Sequence, residues 1–296
     1  MALFMLENDR FLLVVSTNGG TILKYVLKYQ GDEVPLLRPT RVSEETASGE
    51  SGCFPLIPFG NRVKENRFYV DQREYKLEPN TSGDPHYLHG DGWLGEWHRL
   101  SQQHGSLTLG FQREQEAYHY RAEQCFELNE QGLTLTLTVW HLGENPMPYG
   151  LGWHPFFPLT AETRIQAKAD SYWLEDAGWL AGKRAPLIPS LDFNQPAILP
   201  RQWINNGFHG WDGHARLQWP ERKLQLQLLT QPPCPVFFLF MPDSAFDRHY
   251  QGDFFCLEPM SHAANAHNIE GKGGLRMLAQ GEQFSQQCRL NCIDMA

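Results

Sequence analysis

The sequence predicts an all-β protein, a large sandwich of two packed antiparallel sheets. Three observations carry this expectation. Apolar and polar residues alternate with period two in one segment after another, as half-buried strands require. Twenty Pro and 26 Gly are spread along the chain and cut it into many short pieces. No long window shows the 3.6-residue periodicity of a helix.

Taken in order, residues 11–15 (FLLVV) and 21–29 (TILKYVLKY) read as strands, followed by 106–111 (SLTLGF). Residues 121–140 (RAEQCFELNEQGLTLTLTVW) read as a hairpin turning at 129–132, because alternation on both sides brackets a polar, Gly-containing turn. KLQLQLLT at 223–230 alternates almost perfectly, and PVFFLF at 235–240 reads as a further strand. No linker, heptad, low-complexity tract or fixed-period repeat divides the chain. A single domain spanning residues 1–296 is therefore expected, and a propeller is not.

Composition narrows the function classes. An apolar share of 41% supports a sizeable core, and a charged share of 20% argues against disorder. With 25 Lys and Arg against 34 Asp and Glu, the net charge of −9 suits a neutral small molecule better than a nucleic acid, whose affinity comes mostly from phosphate neutralisation. The six cysteines show no CxxC pairing and no regular spacing, so a reducing, cytoplasmic setting is expected. The amino-terminal MALFMLENDR lacks the basic start of a secretion signal, and no uncharged run approaches the ~20 residues of a membrane span. Asn80-Thr81-Ser82 matches a glycosylation sequon, which in such a chain is a chance match.

The informative polar residues sit in apolar, Gly/Pro-rich islands: Asn61 and Arg62 in FPLIPFGNRV, His89 in HYLHGDGW, His154 in GLGWHPFFPL and Glu258 in FFCLEPMSH. A polar group in such a stretch needs a partner, since burying it unsatisfied costs several kcal/mol (~2–7 without a compensating bond). Converging on one pocket, these islands would supply a carboxylate and an imidazole for general acid/base work. Each has a plainer reading alone. Glu258 fits equally a structural partner for an arginine. A lone His154 on an apolar strand is more often bonded to a backbone carbonyl, and Arg62, beside Lys64, Glu65 and Arg67, fits a solvated loop. Trp93, Trp97, Trp153 and Trp211 offer ring faces for a sugar, but packing is the commoner use. No metal is expected: His86-x2-His89 and His262-x4-His267 lack thiolates, an HExxH helix or a tight HxH strand pattern. A Gly-x-Ser-x-Gly elbow and a Gly-rich phosphate loop are also missing.

Together the islands resemble the aldose 1-epimerase (galactose mutarotase-like) family. The matching segments are Gly60-Asn61-Arg62, Leu88-His89-Gly90 with Trp97, Gly152 through Phe157, and Leu257-Glu258-Pro259 with Ser261-His262, in the family's order. The resemblance implies a galactose mutarotase-like supersandwich with a sugar pocket on one sheet and no cofactor. It also implies Glu258 as base, His154 as acid, and His89 and Arg62 as substrate binders with Asn61 beside them. One departure stands out. The family usually has an Asp before a Phe where this chain reads Ile204-Asn205-Asn206-Gly207-Phe208, and the nearest carboxylate is Asp212. Either Asp212 or the amide of an Asn then contacts the sugar hydroxyls.

The implied activity is interconversion of the α and β anomers of a free aldohexose. Three other readings stand behind it. One is a sugar-phosphate mutarotase, with Arg62, Lys64, Arg67 and Arg99 gathered around phosphate. Another is a catalytically silent sugar-binding sandwich. The last is a glycoside hydrolase using Asp212 and Glu258, which requires their carboxyls to lie about 5–9.5 Å apart.

Overall fold

A computed structural model describes residues 1–115 and 117–294. Two large antiparallel sheets dominate it. The eleven-stranded sheet runs, edge to edge, through Leu3–Glu7, Phe11–Ser16, Thr21–Tyr29, Cys53–Leu56, Gly152–Pro158, Phe254–Met260, Val236–Met241, Ile204–His209, Ser171–Asp176 and Leu180–Pro186, with Asp32–Pro35 added beside Thr21–Tyr29. The nine-stranded sheet runs through His98–Gln103, Ser106–Glu114, His119–Asn129, Gly132–His141, Gln283–Asp294, Leu224–Gln231, His214–Trp219, Arg164–Ala167 and Ala197–Ile198. Among the described residues the helical turns are short 3₁₀ segments of three to five residues. No helix among them is long and apolar enough to cross a membrane.

The predicted strands form where the alternation places them. His119–Asn129 pairs with Gly132–His141 as a hairpin closed by Asn129 opposite Gly132, and the Asn129 Oδ1 accepts the N–H groups of Gln131 and Gly132. Leu224–Gln231 buries every second residue, as KLQLQLLT demands. The inner faces of both sheets share one apolar core, to which Leu135, Leu137, Leu226 and Leu228 contribute from one sheet and Trp153, Phe157, Phe255 and Leu257 from the other.

The central strands of the larger sheet are apolar on both faces because both are covered. Gly152–Pro158 and Phe254–Met260 are buried at every position. Period two sends Trp153, Phe157, Phe255 and Leu257 into the core between the sheets. It sends Phe54, Phe156, Phe238, Phe254 and Cys256 to the opposite face, where they join a second apolar cluster under a layer of loops. His154 and Glu258 lie on that second face. The six cysteines are all free, and five of them are buried.

Candidate active site

Register brings His154 and Glu258 together. Gly152 pairs with Met260 and Phe156 with Cys256, so His154 falls midway, across from Glu258. Their side chains meet with Nε2 of His154 at 3.2 Å from Oε1 of Glu258, and both residues are buried, at 6% and 2% exposure. The His154 ring is held between Phe54, stacked at 4.5 Å between ring centroids, and Phe156 at 4.6 Å. The second carboxylate oxygen of Glu258, Oε2, is buried without a hydrogen-bond partner. Both groups line a cavity of about 240 Å³ that Asn61, Arg62, His89, Trp93 and Asn205 also line. That is below the ~300–1,000 Å³ of sites for drug-sized ligands, so the cavity suits one small molecule.

His89 reaches the cavity from a loop layered over the sheet. Asn61 and His89 adopt left-handed backbone conformations, with φ of 62° and 59°, which Asn and His tolerate better than most residues. They lock each other there. The His89 N–H donates to the Asn61 carbonyl at 2.9 Å, and the Asn61 N–H donates to Nδ1 of His89 at 3.0 Å. Because Nδ1 accepts, the proton of the neutral ring sits on Nε2, leaving a donor for a ligand. Gly90 follows with φ 67° and passes so close to Ile57 that a Cβ would lie 2.2 Å from the Ile57 carbonyl oxygen, so only glycine fits. Asn80 secures the loop, accepting from Leu88 N–H and donating to the carbonyls of Leu88 and Gly90. The sequon is thus a structural clamp.

Arg62 is held by an ion pair in which its Nε donates to Oδ2 of Asp84 at 2.7 Å. Its Nη1 donates to the Trp179 carbonyl at 3.3 Å, and the guanidinium lies 5.4 Å from the centre of the Trp179 ring. His262 braces the turn from behind: its Nε2 accepts the Gly60 N–H at 2.9 Å while Nδ1 donates to the Ala263 carbonyl.

Burial dictates the electrostatics. It pushes the Glu258 carboxyl well above its ordinary value, opposed by the nearby charge of Arg62. It pushes His154 down to about 3, with Arg38 and Arg62 acting in the same direction. His89 is lowered well below the usual imidazole value by burial, His154 and Arg62. The unliganded pair therefore favours its uncharged form, with one proton shared between Glu258 and His154. His89, His154 and Glu258 also offer one potential metal-ligand atom each, all within 4.8 Å of one another.

Asp212 is not part of this cavity. Its Oδ1 accepts the His214 N–H in the turn leading into the nine-stranded sheet, where it lines a separate groove with Lys168 and Arg216. Between residues 209 and 214 the chain leaves one sheet for the other, carrying Asp212 off the site. Asn205, the other sequence candidate, does line the cavity. Separating Asp212 from Glu258 also removes the carboxylate pair proposed for glycoside hydrolysis. The basic cluster expected for phosphate does not assemble either. Arg67 is half exposed and paired with Glu65 and Glu74, while Arg99 lies in the nine-stranded sheet over Phe4. Of the four tryptophans, Trp93 lines the cavity; Trp97, Trp153 and Trp211 are core residues. His267 bonds the Tyr118 hydroxyl at 2.7 Å and, like His262, is a buried packing histidine.

The sequence-matched model of the aldose 1-epimerase family covers residues 2–291. The chain belongs to the aldose 1-epimerase family. Members of this family are isomerases that act on small sugars, and the chain shares that enzyme class. It is 48% identical over 291 residues to the uncharacterized protein YphB of Escherichia coli K12, covering 98% of each chain. A crystal structure from Escherichia coli K12, provisionally named an aldose 1-epimerase, superposes with a TM-score of 0.95 at 46% identity and 99% coverage of both chains. The GalM/aldose epimerase homologue of C. elegans shares the fold, with a TM-score of 0.83 at 16% identity over 100% of this chain and 99% of that one.

The buried imidazoles make stability pH-dependent. His89, His154, His262 and His267 are all lowered by burial, His262 to about 4. Each contributes stability above the ordinary imidazole value of ~6.5 that is lost as pH falls toward its folded value, by up to about 1.4 kcal/mol per pH unit. Glu258 and Asp91, raised by burial, act oppositely: their contribution is greatest below the ordinary carboxyl range and lost as pH rises. Lowered histidines outnumber raised carboxyls among the buried groups, so unfolding takes up protons as pH falls below ~6.5. Calorimetry should show Tm falling steadily from pH 7 to 5; a flat or rising Tm would refute the buried neutral histidines.

Proposed function

We propose that the protein interconverts the α and β anomers of a free aldohexose, with Glu258 as general base, His154 as general acid and no cofactor. The 3.2 Å contact between Glu258 Oε1 and His154 Nε2 carries this reading. In a cyclic aldose the C1 hydroxyl and the ring oxygen share one carbon, so a base and an acid in contact can address both together. Glu258 takes the proton from the C1 hydroxyl, and His154 gives one to the ring oxygen. The C1–O5 bond breaks, an open-chain aldehyde forms, the C1–C2 bond rotates, and closure returns both protons. The pair begins and ends with one proton, so no water or external acid enters the balance.

Arg62, fixed by Asp84, and His89, with its donor on Nε2, support the sugar hydroxyls; Asn61 and Asn205 contribute amides at the wall. A free sugar is favoured over a phosphorylated one because Arg67 and Arg99 lie elsewhere and Arg62 already faces a carboxylate.

The test is NMR saturation transfer between anomers of glucose, galactose and other aldoses, with and without protein. Acceleration that survives a chelator is expected. Loss on chelation would reassign His89, His154 and Glu258 to a metal. Binding without acceleration on any sugar or sugar phosphate would leave a carbohydrate-binding sandwich.

A further inference from the structure

We infer that Glu175, which does not line this cavity, is a positioning residue that fixes which end of the Asn205 amide meets the substrate. The inference rests on the sugar-binding reading above.

Asn205 lies in the strand Ile204–His209, is buried at 6% exposure and lines the cavity. Its Nδ2 donates to Oε2 of Glu175 at 2.5 Å and to the Trp179 carbonyl at 3.5 Å. Both amide hydrogens are thus directed away from the ligand. A carboxylate and a carbonyl can only accept, so turning the amide over would set its oxygen against two acceptors. Oδ1 is left for the cavity, a neutral acceptor with one task.

The edge hairpin is shaped for this. Ser171–Asp176 pairs with Ile204–His209 at Ser171–His209 and Tyr172–Phe208, and there the ladder stops. Asn206 spans the gap by donating to the Trp173 carbonyl at 2.8 Å. An irregularity between Trp173 and Glu175 then re-aims the strand, as bulges do. Glu175 is steadied by Trp203, whose Nε1 donates to the same Oε2 at 3.1 Å. Trp179, at φ 60°, presents to Asn205 the carbonyl that Arg62 also uses. The hairpin tip therefore sets two cavity-wall groups at once without entering the cavity.

The ligand class follows. The sugar carbon facing Asn205 must carry a hydroxyl that donates a hydrogen bond. Its deoxy analogue leaves Oδ1 unpaired, and its fluoro analogue sets an acceptor against an acceptor, so both bind poorly.

The test is steady-state anomer exchange, together with sugar binding read by tryptophan fluorescence, on the best wild-type aldose. Glu175→Ala should raise KM and Kd about 3- to 10-fold with kcat within about twofold, the loss of one oriented hydrogen bond. Glu175→Gln should behave like wild type, its Oε1 accepting from Asn205 and Trp203. Asn205→Asp should raise KM further by setting two carboxylates together, with partial recovery as pH falls and one of them is protonated. Glu175→Gln combined with Asn205→Asp should recover toward wild type, since the new amide donates to the new carboxylate. Wild-type KM and Kd in Glu175→Ala, where Asn205→Ala raises both, would overturn the inference. So would monofluoro analogues that all bind as well as the parent sugar. Wild-type protein that binds aldoses without exchanging anomers refutes the mutarotase reading alone, and Kd still scores Glu175. Protein that binds no aldose overturns both.

Discussion

Glu258→Gln is expected to abolish anomer exchange while sugar binding survives. A positioned general base typically contributes about 10²–10⁴-fold, and an amide of the same shape cannot accept the C1 proton. The substitution is otherwise mild. Burial already pushes the Glu258 carboxyl toward its neutral form, so a neutral amide replaces it without stranding a charge. A buried carboxylate opposite an arginine, kept only for structure, would respond differently: its Gln variant would lose stability and leave any activity to another group. The two outcomes separate cleanly in one sample, with Tm and Kd near wild type and exchange absent in the first case. Exchange within about tenfold of wild type would place the base elsewhere.

The islands were legible because their neighbours are apolar. WHPFF and FFCLEPM report strands buried on both faces, so His154 or Glu258 within them needs a partner. That each is the other's neighbour follows from the pairing of the two strands, which the sequence does not display. The sheet architecture was legible from the same alternation. What escaped acts through backbone or lies in segments without a period. Asp84, in the polar run PNTSGDPH, gives no pattern to read, yet it anchors Arg62. Trp179 matters through its carbonyl, which any residue has. Glu175 sits at an exposed hairpin end and looks like solvent-facing charge until the irregularity beside Trp173 is seen. Asp212 failed for a topological reason: a few residues past Phe208 the chain changes sheets, so nearness in sequence became distance from the site. Arg38, another cavity-wall residue, carried no motif; it stacks on Phe156 and Phe254 at 3.8 and 4.5 Å from their ring centres and donates to the carbonyls of Gly49 and Ser51.

The second large effect is on the pH profile. An isolated histidine acid with an ordinary value of ~6.5 would give kcat/KM a limb near that pH. Here the proposed acid and base form one buried pair, and on that proposal the proton count of the pair decides activity. The working state holds one proton between Glu258 and His154. In the free site burial favours placing it on the carboxyl; the sugar's hydroxyls, bonding the vacant Oε2, stabilise its transfer to the imidazole. No proton has to be gained from or lost to solvent for that shift. Activity falls only when the pair takes up a second proton, for which burial sets His154 down to about 3, or loses its single one, for which burial raises Glu258. Lowering the pH through 6.5 therefore changes neither count. We expect kcat/KM to stay within about twofold from pH 5.5 to 7.5, measured where the protein remains folded. His154→Asn should lose about 10²–10⁴-fold, because the ring oxygen then departs without a proton. A limb with its midpoint near 6.5 in the wild type would mean that His154 exchanges protons with solvent as an open imidazole does, and the shared-proton pair would have to be abandoned.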